Sequence, residues 1–472
     1  MEKVDSDLRN ALDTAVSHAV SHLEALDRSS VAATVDAETL RSRLAKQLNE
    51  GGIPADQVVD ELARDVAGGL IGSAGGRFFG WVIGGVLPAA LATDWMTSAW
   101  QQNAALYATS PAAAVVEEVV GQWLKDLLRL PQTASFALVT GCQMAHVTCL
   151  AAARHGLLAQ LGWDVETQGL FGAPKIRILT SSARHGSFTR AVRLLGFGTG
   201  QIQLLDVDSE DCLPAMALEQ ALKKDPNAPT IVLLQAGDIN IGAYDKFNEL
   251  IPIAREFGAW VHIDGAFGLW VSATDRLRHL TEGLEKADSW ATDGHKWLNV
   301  PFDCGFAFVA DAESHRASMS STAAYITLAS NARDQMDWNP EWSRRSRGFA
   351  SYAAIRSLGR QGIAELIERC CKHAHSIVTR IGKLEGAEML WEPTINQGLV
   401  RFLDRSPDAT QEDHDQRTDQ VIVEILKTGE AFFQGTTWRG RRAMRVSVCN
   451  WRTSDEDVDR VVNAVEKVLQ QT

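Results

Sequence analysis

The sequence predicts an α/β fold: a mostly parallel sheet covered on both faces by helices, with a smaller α+β domain behind it. Two patterns carry this. Between about residues 134 and 310, short runs rich in Val, Ile and Leu alternate with stretches of helical periodicity, as expected of strands buried on both faces. Beyond about residue 346, long helical patterns return, followed by short strands and a final helix. Length and composition agree, since 472 residues, 45% hydrophobic and 22% charged, suffice for one large core with smaller appendages.

Residues 1–75 form an N-terminal helical segment, in which "SDLRNALDTAVSHAVSHLEAL" places apolar residues at helical spacing. It has little core of its own and is expected to pack on another surface, a second subunit included. The N-terminus has neither a basic head nor an apolar stretch, so no signal peptide is expected. "FFGWVIGGVLPAALATDWM", residues 78–96, is apolar enough to resemble a membrane span. Its Gly-Gly pair, Pro88 and Asp94 favour a buried loop entering a helix, or an oligomer interface. Next, "SPAAAVVEEVVGQWLKDLLRL" reads as an amphipathic helix with Ser110 as N-cap and Pro111 in the first turn. The strands expected after it are "ASFALVTG", "KIRILTS", "QIQLLDVD", "TIVLLQAG", "WVHIDGA", "SWATDGH" and "CGFAFVAD". Residues 76–345 are thus read as the large domain and 346–472 as the small one, with "DRSPDATQEDHDQRT" as an exposed loop within it.

A formal net charge of −13 leaves no broad basic field, which argues against a nucleic-acid partner. Cysteines at 142, 149, 212, 304, 370, 371 and 449 form no C-x-x-C pair, so neither a disulfide framework nor a metal site is expected. The expectation is a soluble cytoplasmic protein.

In open α/β sheets ligands bind outside the carboxyl ends of the strands, so residues there matter most. In "SWATDGHKWLNVPFDCG" Lys296 sits between a histidine and a tryptophan. Either it ends a strand and reaches for water, or its amine forms a Schiff base. The turn "TGCQMAH" enters a helix, whose first amides and positive dipole end suit a phosphate; it also fits an ordinary strand–helix connection. His185, between polar residues, fits a solvated loop as well as a site. Asp264, directly after the apolar run "AWVHI", is a carboxylate that needs a partner. Together these residues supply what pyridoxal phosphate requires: an amine for its aldehyde, a carboxylate for its ring nitrogen, a flat imidazole and a phosphate cradle.

From about residue 75 to the C-terminus the sequence resembles the group II pyridoxal-phosphate-dependent amino-acid decarboxylases, which include the aromatic-amino-acid and glutamate decarboxylases. The resemblance runs through "RFFGWVIGGVLPAALATDW", "HIDGAFG", "DGHKWLNVPFDCG", "SRRSRGF" and "RVSVCN". It implies the aspartate-aminotransferase-like fold (fold type I) and a homodimer whose active sites take residues from both chains. It implies Lys296 as the internal-aldimine lysine and Asp264 as the partner of the pyridine nitrogen. Ala266 would lie under the ring, with His185 stacked on the other face near the substrate carboxylate. Cys142 and Gln143 would hold the phosphate, His295 and Thr292 completing the cradle, and Asn240 would stand near the cofactor. Trp81, Ile83 and Gly84 would line the substrate pocket, and Arg445 would approach the substrate carboxylate. Trp81 and its apolar neighbours lean towards an aromatic or bulky apolar substrate.

Two departures from the family pattern stand out. Cys142-Gln143-Met144 replaces the usual small hydroxyl residues of the phosphate turn. The segment 326–342, matching the family's mobile loop, lacks the tyrosine that protonates Cα; the four tyrosines are 107, 244, 325 and 352. Amino-acid decarboxylation therefore stands beside two alternatives, aldol-type cleavage of a β-hydroxy amino acid and aldehyde-forming oxidative decarboxylation. A degenerate cofactor-binding protein with a structural or regulatory role is opposed by the joint presence of Lys296, Asp264 and His185.

Overall fold

The computed structural model describes residues 2–321 and 332–471, and these divide into two compact units. The larger comprises residues 84–372 and 393–397. Its sheet has seven strands: β1 (Ser135–Val139), β2 (Arg177–Ser181), β3 (Ile202–Leu205), β4 (Thr230–Gln235), β5 (Trp260–Asp264), β6 (Ser289–Asp293) and β7 (Gly305–Val309). Each is one of the seven predicted apolar runs. The order is β1-β7-β6-β5-β4-β2-β3, with β7 antiparallel to both neighbours and the other pairs parallel. Parallel neighbours need a crossover, usually a helix, whereas β6 reaches β7 through residues 294–304 with no helix between them, so β7 runs back.

That reversal builds one corner of the sheet. Gly305, the first residue of β7, pairs with Val139 at the end of β1 and with Asp293 at the end of β6. The turn after β1 is thereby set beside Asp293. A Cβ on Gly305 would lie 2.5 Å from Gly141, so only glycine permits the approach. From Gly141 the helix Cys142–Ala159 begins and runs back across the sheet.

The smaller unit comprises residues 1–83, 373–392 and 398–472. It contains the helix Glu2–Ala25 and a four-stranded sheet of β8 (Ala387–Trp391), β9 (Gln397–Phe402), β10 (Gln434–Trp438) and β11 (Arg441–Ser447), ordered β10-β11-β9-β8. Arg77 is fully buried there. Its guanidinium donates to the carbonyls of Ser29 (2.8 Å) and Glu430 (2.7 Å).

Two local expectations change. The stretch expected as an exposed loop is helical from Gln411, because Thr410 and Asp413 form a reciprocal capping box that starts the helix Gln411–Lys427. Ser110 occupies the N-cap position of the helix Pro111–Leu127, but its hydroxyl is buried and makes no capping bond; the start rests on Pro111. In the apolar stretch 78–96, Phe78, Phe79, Val82 and Leu87 are buried loop residues and Pro88 opens the helix Pro88–Trp100. Among the described residues no helix is long and apolar enough to cross a membrane.

In the larger unit the helix Pro111–Leu127 carries Glu117, fully buried and paired with Arg344, whose Nη1 donates to Oε1 at 3.0 Å. Glu117→Ala leaves a buried guanidinium without its counter-charge and should cost about 3–5 kcal/mol in urea unfolding of the apoprotein. The double variant Glu117→Leu/Arg344→Met should recover most of that loss.

Candidate active site

Alternation along β5 places Trp260, His262 and Asp264 on one face of the strand. The helix Cys142–Ala159 packs over this sheet and presents Cys142 and, one turn on, His146. The Asp264 carboxylate is buried, with Oδ2 3.4 Å from His146 Nε2 and Oδ1 3.9 Å from Cys142 Sγ. Its Oδ1 also accepts the Ala266 N–H at 3.2 Å. Burial alone would raise the Asp264 pKa; the His146 ring, with smaller help from His185 and Lys296, more than offsets this and holds the carboxyl below its ordinary range.

Lys296 follows the neighbouring strand β6. Its Nζ is 3.0 Å from Asp293 Oδ2 and lies over the Phe267 ring. Burial would lower its pKa, but Asp293, assisted by Asp264, raises it above the ordinary lysine value. Asp293 also accepts the Cys142 N–H through Oδ1 at 2.6 Å, so one carboxylate ties the lysine to the start of the helix. The next two amides of that helix, those of Gln143 and Met144, have no carbonyl within the helix to receive them. Gly84 packs against the backbone of Lys296, where a Cβ would fall 2.0 Å from the lysine carbonyl oxygen.

The other residues singled out in the sequence take clear places. His295 accepts the Cys304 N–H at Nδ1 (3.2 Å), so its proton is on Nε2, which faces Asp293 Oδ1 at 3.4 Å. The Thr292 hydroxyl is buried and donates to the Ala266 carbonyl, which also accepts the Asp293 N–H. The Cys142 thiol is turned towards Asp264 and His146, and burial pushes its pKa well up. His185 is exposed and caps the helix Gly186–Leu194, its Nδ1 accepting from Ser187. The Asn240 N–H donates to buried Asp238 in the loop after β4. In the smaller unit, half-exposed Trp81 stacks on Phe432 (5.5 Å between ring centres), Ile83 is partly buried, and Arg445 donates to the Trp81 carbonyl and to Gln434 Oε1.

Asp293, His146 and His262 escaped the sequence reading. Signals existed: the period of two in "WVHID", His146 one turn after Cys142, and Asp293 three residues before the lysine.

The chain matches the pyridoxal-dependent decarboxylase conserved domain over residues 38–403. It belongs to this family. Family members similar to it include an aromatic-L-amino-acid decarboxylase of Bacillus atrophaeus, 24% identical over 97% of this chain and 94% of the relative. Tryptophan decarboxylase 1 of Oryza sativa is 27% identical over 94% and 90%. The crystal structure of Oryza sativa TDC with PLP and tryptamine superposes with a TM-score of 0.92, at 23% identity, over 99% of this chain and 98% of that one. The chain is a pyridoxal-phosphate-dependent carboxy-lyase of the fold-type-I class, acting on an amino acid. Its residues fit that cofactor: a buried lysine amine, a buried carboxylate held ionised, and the open start of a helix converge at the ends of adjacent strands.

Within the segment 326–342, residues 326–331, Asn331 among them, lie outside the described residues, as does Tyr325. The described part is packed against the large unit. Asp337 pairs with Arg316 (2.9 Å) and accepts from Ser320, the Trp338 carbonyl meets His315 Nε2 at 2.9 Å, and Arg333 lies between the rings of Phe136 and Trp338. Asp334 accepts the Tyr107 N–H at 2.8 Å. These contacts hold residues 332–342 against the rest of the larger unit in this structure.

Because Asp293 is what outweighs burial at Lys296, Asp293→Asn should lower the lysine pKa. The pH profile for covalent uptake of pyridoxal phosphate by the apoenzyme, trapped with borohydride, should shift to lower pH. An unmoved profile would show that Asp293 does not control the amine.

Proposed function

We propose that this enzyme decarboxylates an aromatic or bulky apolar L-amino acid, with Lys296 holding the cofactor aldehyde and Asp264 its ring nitrogen. The observation that carries the reading is the meeting of a buried amine and a buried, ionised carboxylate at the ends of β6 and β5. When bound, pyridoxal phosphate supplies an aldehyde for the substrate amine and a ring that accepts the electron pair released at Cα. Asp264 keeps the ring nitrogen protonated. The start of the helix Cys142–Ala159, with Gln143 and His295 beside it, receives the phosphate. Ala266 and His185 flank the ring, Thr292 fixes Ala266 from below, and Asn240 stands at the cofactor's edge. The aromatic preference draws on the stacked, half-exposed Trp81 and on the relatives named for aromatic substrates. The family resemblance adds Ile83 and Gly84 as substrate-pocket residues and Arg445 as the partner of the substrate carboxylate.

The proposed setting is a cytoplasmic homodimer with active sites shared between chains. The seven cysteines are free and buried, which suits a reducing compartment. Leu8, Leu12, Val16 and Val20 on the first helix, and Trp95, Met96 and Trp100 on the helix Pro88–Trp100, leave apolar surface for a second copy to cover.

A second reading rests on the segment 326–342, which contains no tyrosine of its own, Tyr325 standing immediately before it. Aldehyde formation in oxygen, or aldol cleavage of a β-hydroxy amino acid, follows if no proton is returned to Cα.

Incubating the holoenzyme with aromatic, acidic and β-hydroxy amino acids, and assaying CO2, amine and aldehyde by mass, decides among these. CO2 with amine from an aromatic substrate is the expected result; glycine with an aldehyde and no CO2 would replace it with the aldolase reading. Lys296→Ala should lose the borohydride-trapped adduct, and Asp264→Asn should retain cofactor while losing at least ~100-fold in turnover. A label trapped on another lysine would move the site.

A further inference from the structure

A chain of four side chains leads from the core to Asp264. Trp260 Nε1 is 2.9 Å from Ser289 Oγ, Ser289 Oγ is 2.9 Å from His262 Nδ1, and His262 Nε2 is 2.8 Å from His146 Nδ1. His146 Nε2 then faces Asp264 Oδ2 at 3.4 Å. Strand register explains the alignment: His262 pairs with Ser289 across β5 and β6, and Trp260, His262 and Asp264 alternate onto the same face. Trp260 is 8% exposed, and Ser289, His262 and His146 are wholly buried. Phe188 packs edge-on to His146 and parallel to His262, excluding water.

Donor chemistry gives the chain a direction. An indole N–H can only donate, so Ser289 Oγ accepts from Trp260. The serine proton then has His262 Nδ1 to receive it; the Cys149 sulfur also lies beside Ser289 but is the weaker acceptor. His262 therefore carries its proton on Nε2 and donates to His146 Nδ1, which leaves the His146 proton on Nε2, facing the carboxylate. For a neutral His146 the opposite end favours the same order. Reversed tautomers would set a bare imidazole nitrogen against a buried carboxylate, with only the weak Cys142 S–H, 3.5 Å from that nitrogen, left to donate there. Cys142, Lys296 and His185 also act on Asp264; of these, the Cys142 thiol touches the relay as well, at His146 Nε2 (3.5 Å).

We propose that Trp260, Ser289, His262 and His146 form a one-way hydrogen-bond relay that fixes the His146 N–H on Asp264, making these four residues positioning residues for the ionised carboxylate. The inference rests on the reading above only where it connects Asp264 to the cofactor ring nitrogen.

Its test has two parts. In apoprotein carrying 15N-labelled histidine, solid-state 15N spectra, assigned with His146→Gln and His262→Gln, should show both rings neutral and protonated on Nε2 at pH 7. His262→Phe should release His146 to Nδ1–H or a mixture, whereas His262→Gln, whose amide can donate in place of Nε2–H, should retain Nε2–H. A cationic ring or an Nδ1–H tautomer at either wild-type position overturns the relay without reference to any cofactor. The second part uses enzyme reconstituted with pyridine-15N-labelled pyridoxal phosphate. The wild type should give a protonated ring nitrogen at pH 8, lost in His146→Phe and restored in His146→Gln. If Asp264→Asn removes that signal and His146→Phe does not, the relay falls while the cofactor reading stands. If Asp264→Asn leaves it unchanged, Asp264 is not the ring partner, and both fall.

Discussion

A single negative charge buried at the end of β5 constrains much of the larger unit. Removing a carboxylate from water costs several kcal/mol unless nearby groups compensate it. For Asp264 the compensation comes from several elements at once: His146 from the helix Cys142–Ala159, the Ala266 amide from the turn beyond β5, and the amine that follows β6. Hydrogen bonds weaken steeply with misalignment, so these partners fix strand register and helix position together. The glycines at 84 and 305 belong to the same arrangement, because each lets one backbone come closer than a Cβ would allow.

Asp293 complements Asp264 in a different way. It binds an amide and an amine, the two kinds of group that the cofactor also wants, and so holds them in place before any ligand arrives. On the proposed reading, the cofactor phosphate is received by amides beyond Cys142, since that first one is already engaged. On that reading two acids in neighbouring strands divide the work, Asp264 meeting the ring and Asp293 organising the groups around it.

Much of this was legible in the sequence. All seven strands of the large sheet follow from apolar runs, because burial on both faces writes continuous Val, Ile and Leu into short segments. Lys296 and Asp264 stood out because charged residues abutting such runs are costly. The partners did not stand out, for a physical reason. His146 and His262 matter through a contact across 116 residues, and a histidine within an apolar helix or strand carries no local mark of what it meets. The start of the helix Gln411–Lys427 was hidden differently: its capping box lies in a polar stretch that also has the composition of a loop.

The buried Arg77 has a consequence for how the chain is made. Its guanidinium gathers carbonyls from residues 26–29 and from 429–430, groups separated by most of the polypeptide. A ribosome delivers the first set long before the second. Until residues 429–433 emerge, Arg77 and the aromatic residues Phe78 and Phe79 lack the carbonyls and the Phe432 and Phe433 rings that they meet in the folded protein. The smaller unit therefore closes only after residues 429–433 have been made, and such long-range contacts favour slow folding, while the larger unit can already be forming.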